Sequence, residues 1–322
     1  MTPRSSSPSP KRVVVAINPS ASFGAKSSIG PALVQTLRGE GHDVQSLTEP
    51  SWLELLESAR AAVKSKPDAL IVVGGDGIVN LGANLVAGTK VPLGIIPSGT
   101  GNDMARSLGI PYDDTEAAIR VLNDALEAGP RTIDAARVSF VDDVTGLPTE
   151  RWFVCALSAG FDAIVNERAN AMTRPKGPSR YIVALGIELA RLKPIDYRVT
   201  LDGRVIETPG SLVSIGNAVS LGGGMKITPD AKLDDGLLDV LIVQPLPRLS
   251  FLRIFPRVFK GEHVTDPRVA IERAEHVRIE AEGITAYADG ERFGPLPIDV
   301  EVVPGAVRVL APVPGPHSIH AS

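Results

Sequence analysis

The sequence predicts an α/β N-terminal domain, a parallel sheet with flanking helices, joined to a C-terminal antiparallel β-sandwich-like domain. Three observations predict this. Up to about residue 130, short apolar runs alternate with amphipathic stretches, the pattern of βαβ units. Beyond it the apolar runs become short and β-branched, with Gly, Asp and Pro between them. Within the first part, two glycine turns each follow an apolar run and precede helix-like sequence: Gly74-Gly75-Asp76-Gly77-Ile78-Val79-Asn80 and Gly99-Thr100-Gly101-Asn102-Asp103.

The elements follow in order. A strand at Arg12–Ile17 leads to a helix at about Ser27–Arg38, and a strand near Val44–Leu47 leads to a helix at about Trp52–Ser65. Leu70–Val73 precedes a helix from about Val79 to Ala87. Leu93–Ile96 precedes a short helix from Asp103, and a helix near Thr115–Leu126 closes the section. The second part holds strands at Ile133–Phe140, Trp152–Leu157, Tyr197–Leu201, Leu212–Gly216, Leu238–Val243, Val277–Ala281, Ile284–Ala288 and Ile298–Val303. Asp202-Gly203 reads as a hairpin turn. Helices are expected near Tyr181–Arg191 and Leu249–Phe259, the latter interrupted at Pro256. Residues 1–11 and 314–322 read as loose tails.

Composition narrows the function. The 322 residues are 43% hydrophobic and 22% charged, with a formal net charge of −4. Such a balance excludes bulk electrostatic binding of nucleic acid. The single cysteine, Cys155, lies in an apolar run, cannot form an internal disulfide and fits a reducing, cytoplasmic setting. No run approaches the roughly 18 to 20 apolar residues of a membrane span. The five histidines show no metal-ligand spacing.

The glycine turns carry the chemistry. Glycine lets the main chain approach an anion without a Cβ in the way, and a helix N-terminus directs N–H groups at it. Asn18-Pro19-Ser20-Ala21-Ser22, after the first strand, would add a third loop at the same edge of the sheet. Taken alone, each turn also reads as an ordinary strand-to-helix connection, with Asp76 as a helix cap.

Together the motifs resemble the diacylglycerol kinase catalytic-domain family, soluble bacterial lipid kinases related to sphingosine kinases. The segment Gly94-Ile95-Ile96-Pro97-Ser98-Gly99-Thr100-Gly101-Asn102-Asp103-Met104-Ala105-Arg106 is similar to the family's GTGND region. Gly222-Gly223-Gly224-Met225, Asp235-Gly236-Leu237-Leu238-Asp239 and Asp289-Gly290-Glu291 are similar to its glycine-rich, DGLLD and DGE segments. The chain departs from the pattern at Ile78, where the family usually has Thr or Ser, and in a first loop that reads Ser-Phe-Gly.

The resemblance implies an NAD kinase/phosphofructokinase-like first domain over 12–130, with 304–313 as a candidate to rejoin it, and a lipid-substrate domain over 131–303. It implies an ATP site at Asn18, Pro19, Ser20, Ala21, Ser22, Thr48, Gly74, Gly75, Asp76, Gly77, Ile78, Val79, Asn80 and Thr100, with Gly101, Asn102 and Asp103 adjoining. Asp76 would organise a catalytic Mg2+. Glu291 would be the general base, at a domain edge facing the cleft; the residues alone favour a hairpin Glu in solvent. Asp235 would hold a structural Mg2+ with carbonyl oxygens of Lys232 and Leu237; its other reading is a plain Asp-Gly turn. The implied reaction is ATP-dependent phosphorylation of a lipid hydroxyl, diacylglycerol to phosphatidic acid, with sphingoid bases, ceramide or phosphatidylglycerol as other acceptors. An NAD kinase-like enzyme and a non-catalytic nucleotide- or lipid-binding regulator are the competing readings. The implied setting is peripheral association with the inner face of the membrane, as a monomer or a homodimer. Phe251, Phe255 and Phe259, interleaved with Arg253, Arg257 and Lys260, read either as a membrane-lying segment or as a core-facing helix with a solvated basic face. The basic loop Arg174–Arg180 is a second candidate for lipid headgroups.

Overall fold

The computed structural model describes residues 9–19, 28–172, 174 and 179–313. Ser20, Ala21, Ser22, most of the Arg174–Arg180 loop and the greater part of both tails lie outside the described residues. The chain divides into two units: Met1–Ile133 with Ala306–Ser322, and Asp134–Gly305.

The first unit is a parallel sheet. Strands β1 (Arg12–Ile17), β2 (Asp43–Leu47), β3 (Ala69–Gly74) and β4 (Leu93–Pro97) run in the order β2-β1-β3-β4. Register is set by pairs such as Val13↔Val44, Val15↔Ile71 and Ile71↔Gly94. β3 and β4 are buried at every residue, as expected of strands covered on both faces. The helices are α1 (Ile29–Gly39), α2 (Trp52–Lys64), α3 (Asp76–Val86), α4 (Asp103–Leu108) and α5 (Thr115–Ala128). Ser51 caps α2 by accepting from Glu54 N at 3.3 Å, and Asp114 caps α5 by accepting from Ala117 N at 3.0 Å. Because β1, β3 and β4 are parallel, the loops that follow them leave from one edge of the sheet.

The second unit is the antiparallel sandwich. One sheet runs β14 (Val269–Ala274), β13 (Leu238–Val243), β10 (Leu212–Gly216), β7 (Ala156–Gly160), β16 (Thr285–Ala288), β17 (Glu291–Pro295). The other contains β9 (Arg204–Gly210), β8 (Ile195–Leu201), β15 (His276–Glu280) and the first half of β18 (Ile298–Leu310). β5 (Arg131–Val141) and β6 (Pro148–Phe153) form a hairpin, and β11 (Ser220–Leu221) pairs with β12 (Met225–Lys226) in a two-stranded ribbon. Phe153, Leu157, Val213 and Val240 meet Val199, Ile279, Ile298 and Val300 in the buried core. On the outer face of the first sheet, Leu241, Val243 and Ile271 are covered by α6 (Phe161–Ala171), α7 (Ser179–Arg191) and α8 (Arg248–Val258).

Several elements differ from expectation. α3 starts at Asp76, three residues early, so the GGDG aspartate sits in its first turn. The run Trp152–Leu157 is not one strand: β6 ends at Phe153 and β7 starts at Ala156. The amides of Val154, Cys155 and Ala156 donate instead to the Asp289 carboxylate, a long-range demand that breaks the run. α6 is not among the expected elements; an apolar run, Ala163-Ile164-Val165, is followed by a polar one, Asn166-Glu167-Arg168, with no clear apolar stripe. β18 runs 13 residues through Pro304-Gly305, and its end pairs with β4 through Val309↔Leu93. α8 continues through Pro256 to Val258. Cys155 is buried and free.

Candidate functional site

In the first unit two glycine turns leave the carboxyl ends of β3 and β4, beside Asn18 at the end of β1. Asn18 N donates to Val73 O at 3.1 Å, and Ser98 N donates to Gly74 O at 2.8 Å. The backbone of Gly75 lies against that of Gly99: a Cβ at Gly75 would fall 3.0 Å from Gly99 Cα. Only glycine permits this approach at both positions. The second turn folds on itself, Gly99 N donating to Asn102 Oδ1 at 3.0 Å and Asn102 Nδ2 to Gly99 O at 3.1 Å. Asn102 adopts a left-handed conformation, φ 55°, which Asn tolerates better than most residues.

Asp76 joins the two turns. Its Oδ2 accepts from Asn102 N at 2.9 Å and its Oδ1 from Asp103 N at 2.7 Å. It therefore caps α4, the next helix, rather than its own. Burial raises its pKa first, the nearby Asp103 charge raises it further, and the two amides act in the opposite direction. Two carboxylates that repel each other suit a hard cation, whose charge would relieve the repulsion. The residues at Asp76 and Asp103 fit such an ion.

The remaining first-unit residues divide by what they present. Ile78 is fully buried, and a Cβ at Gly74 would lie 2.7 Å from its Cγ2, so this side chain belongs to the core. That accounts for the missing hydroxyl: the position offers only main chain here. Val79 and Asn80 are also buried. Thr100 is exposed on the second turn, and Thr48 is exposed just past β2, its Oγ1 3.3 Å from Ser46 Oγ. The first-turn N–H groups of α3, from Asp76 to Ile78, have no acceptor within the helix. Arg106 Nε donates to Gly101 O at 3.2 Å and its guanidinium lies 3.7 Å from the centre of the Tyr112 ring, so α4 braces the turn from behind.

In the second unit Glu291 begins β17, directly after a two-residue hairpin. Asp289 and Gly290 have φ of 50° and 84°, and Ala288 pairs with Glu291 across them. Asp289 is buried and its carboxylate accepts from Val154 N at 2.9 Å, Cys155 N at 3.0 Å and Ala156 N at 3.1 Å. It anchors the hairpin and leaves the half-buried Glu291 as the group on offer. Arg151 is coupled electrostatically to Glu291, and its guanidinium lies 4.3 Å from the Phe293 ring centre. The neighbouring Arg292 is committed to Asp143 at 2.6 Å.

Asp235 sits in an ion pair at the start of its turn. Its Oδ2 is held by the Arg273 guanidinium, and its Oδ1 accepts from Leu237 N at 3.2 Å. The Arg273 guanidinium neutralises the Asp235 carboxylate, and Lys232 and Leu237 would offer only main-chain carbonyl oxygens beside it. No cluster of three or more metal-ligating His, Cys, Asp or Glu side chains occurs among the described residues. Sequence reasoning missed two neighbours. Asp134 accepts from Gly236 N at 2.7 Å and Gly305 N at 2.8 Å, tying the 235–237 turn to β18. Asp239 is buried, with Oδ2 lacking a hydrogen bond and Arg273 Nε 3.8 Å away. Burial pushes its pKa up to about 6, with Asp235 and Asp230 adding to the rise against Arg273. A lone Asp inside an apolar strand run, Leu238–Val243, was the available signal.

Similarity to known proteins extends along nearly the whole chain. Residues 12–138 match the diacylglycerol kinase catalytic domain and residues 155–311 match the YegS C-terminal NAD kinase beta sandwich-like domain. A diacylglycerol kinase of Mycobacterium tuberculosis (strain H37Rv) is 40% identical over 302 residues, 94% of this chain and 95% of the relative. The crystal structure of a putative diacylglycerol kinase from Bacillus anthracis superposes with a TM-score of 0.72 at 23% identity, covering 94% of this chain and 97% of that one. An NAD kinase from Archaeoglobus fulgidus in complex with ATP shares the fold at a TM-score of 0.52 and 14% identity, covering 93% of each chain. The two domain matches and the 40% identity along nearly the full length establish that the chain belongs to the diacylglycerol kinase family, the enzymes built on this catalytic domain.

Proposed function

We propose that the protein is a Mg2+-dependent kinase that transfers the γ-phosphoryl group of ATP to the free hydroxyl of diacylglycerol, giving phosphatidic acid and ADP. The observation that carries the reading is the double-glycine contact of Gly75 with Gly99, locked by Asp76, beside first-turn amides of α3 that have no acceptor within the helix. Main-chain N–H groups of Gly75 to Ile78 would bind phosphate oxygens. Asp76 and Asp103 would hold the Mg2+, which supplies neutralisation of phosphate charge. Glu291 acts as the general base: its carboxylate takes the proton as the hydroxyl oxygen bonds to phosphorus and the bond to ADP breaks. The acceptor is met at the cytoplasmic face of a membrane, where the protein associates peripherally. Among the described residues no helix is long and apolar enough to cross one.

The test is incubation with labelled ATP, Mg2+ and dioleoylglycerol in mixed micelles. Labelled phosphatidic acid is the expected product, and its formation should cease without Mg2+. Folded protein that labels no lipid would overturn the proposal, and NADP formed from NAD would replace it with the NAD kinase reading.

A further inference from the structure

α8 presents two unlike faces. Inward, Phe251 and Ile254 are buried, and Phe251 packs 4.6 Å from Phe161 and 5.7 Å from Phe255, centroid to centroid. Outward, Leu249 is 72% exposed, Leu252 55% and Phe259, in the C-cap, 49%. At about 100° per residue, Phe259, Leu252, Pro256 and Leu249 fall within about 80° of arc. Exposed cations border this strip on both sides: Arg248 on one, Lys260 and Arg253 on the other. No acidic residue occurs between Asp239 and Glu262. Arg257 is retained by the protein through Glu262 O at 2.8 Å and Thr265 Oγ1. Arg248, Arg253 and Lys260 form no ion pair among the described residues.

A solvated helix face normally mixes charge signs and carries few large apolar groups. An apolar strip framed by cations, on a chain whose net charge is −4, matches the interface of an anionic bilayer, where acyl carbons lie beneath phosphate headgroups. We propose that the outward face of α8 is a membrane-docking surface: Leu249, Leu252 and Phe259 enter the headgroup–acyl boundary while Arg248, Arg253 and Lys260 meet anionic headgroups. The proposal rests on the lipid-kinase reading for its purpose, but not for its measurement.

Two triple variants test it: Leu249→Ser/Leu252→Ser/Phe259→Ser and Arg248→Gln/Arg253→Gln/Lys260→Gln. Co-sedimentation is measured without ATP on vesicles of phosphatidylglycerol and phosphatidylcholine, and on phosphatidylcholine alone. The wild type should favour the anionic vesicles. Each cation removed should weaken partitioning about fivefold. The serine variant should lose at least tenfold on both vesicle types. Turnover of a water-soluble short-chain diacylglycerol should stay within twofold in both variants, while turnover of vesicle-borne diacylglycerol falls in step with binding. Vesicle binding within twofold of wild type in either variant would overturn the docking surface. So would a wild-type dimer that the serine variant dissociates with vesicle binding intact, because the strip would then seat a second copy. Absence of turnover on the soluble acceptor by wild type would count against the kinase reading alone, since partitioning is read independently.

Discussion

Gly99→Ala isolates the contact on which the phosphate-binding reading depends. A Cβ at Gly99 would fall inside the contact radius of Gly75 Cα, 3.2 Å from Gly75 N and 3.0 Å from Asn102 Oδ1. Carbon atoms in contact normally sit about 3.5–4.0 Å apart, so the two turns must separate by on the order of 1 Å. No flexible side chain can yield, because the obstacle is backbone. Overpacking of this kind costs about 1–3 kcal/mol in stability, a few degrees in Tm. The larger effect should be on rate, since misplacing a reacting group by about 1 Å costs around 100-fold. Steady-state transfer from labelled ATP should therefore show kcat/KM reduced about 100-fold, with calorimetry reporting a folded protein. Gly39→Ala is the control: its Cβ meets nothing within 4 Å, so activity should be kept. Gly99→Ala activity within threefold of wild type would refute the idea that these loops must touch in order to work.

Glu291→Gln should lower kcat by about 10²- to 10⁴-fold with the KM for ATP nearly unchanged, the range for losing a general base; wild-type kcat would remove Glu291 from the chemistry. Asp289→Ala leaves three buried amides without their acceptor and should cost at least about 3 kcal/mol in urea unfolding; a smaller loss would show that the hairpin does not depend on this anchor. Asp239 has a folded pKa of about 6 against 3.8 for the free group, so its contribution is fully present below about pH 4 and lost as pH rises through 6. The loss should be on the order of 1–3 kcal/mol, and Asp239→Asn should flatten the curve of urea midpoint against pH across that window; parallel curves would contradict the assignment.

Much of the fold was legible because its signals are local. Runs such as Ala69–Gly74 declare buried parallel strands by composition. Asp202-Gly203 and Asp289-Gly290 declare tight hairpins, and both pairs adopt positive φ. What escaped was set by distant partners. The break at Val154-Cys155 exists because Asp289, more than 130 residues away, takes the amides there. α6 lacks a usable apolar periodicity, and its inward residues are chosen by packing against Phe251 and Leu241. At the candidate site, the glycine turns at the strand ends were readable, but the Asp235–Arg273 pair was not, because the arginine comes from β14, a strand absent from the expected set.

The aspartates share a feature that changes how mutations at them should be read. Asp76, Asp134 and Asp289 each use both carboxylate oxygens to receive main-chain amides from a segment distant in sequence. Such bonds are charge-assisted and geometrically exacting, so a carboxylate can fasten a turn that has no apolar side chain to pack. Glycine-rich turns need this kind of fastening, because the residues that let backbones approach also contribute no burial and retain the most conformational freedom when unfolded. Motif aspartates and motif glycines are then two halves of one device: the glycines open the space and the aspartate closes the loop around it. It follows that loss of activity on replacing Asp76 is not by itself evidence for metal binding, since the same change releases Asn102 and Asp103. The two roles separate through Mg2+ concentration, because added cation can compensate for a weakened ligand but cannot restore an acceptor for two amides.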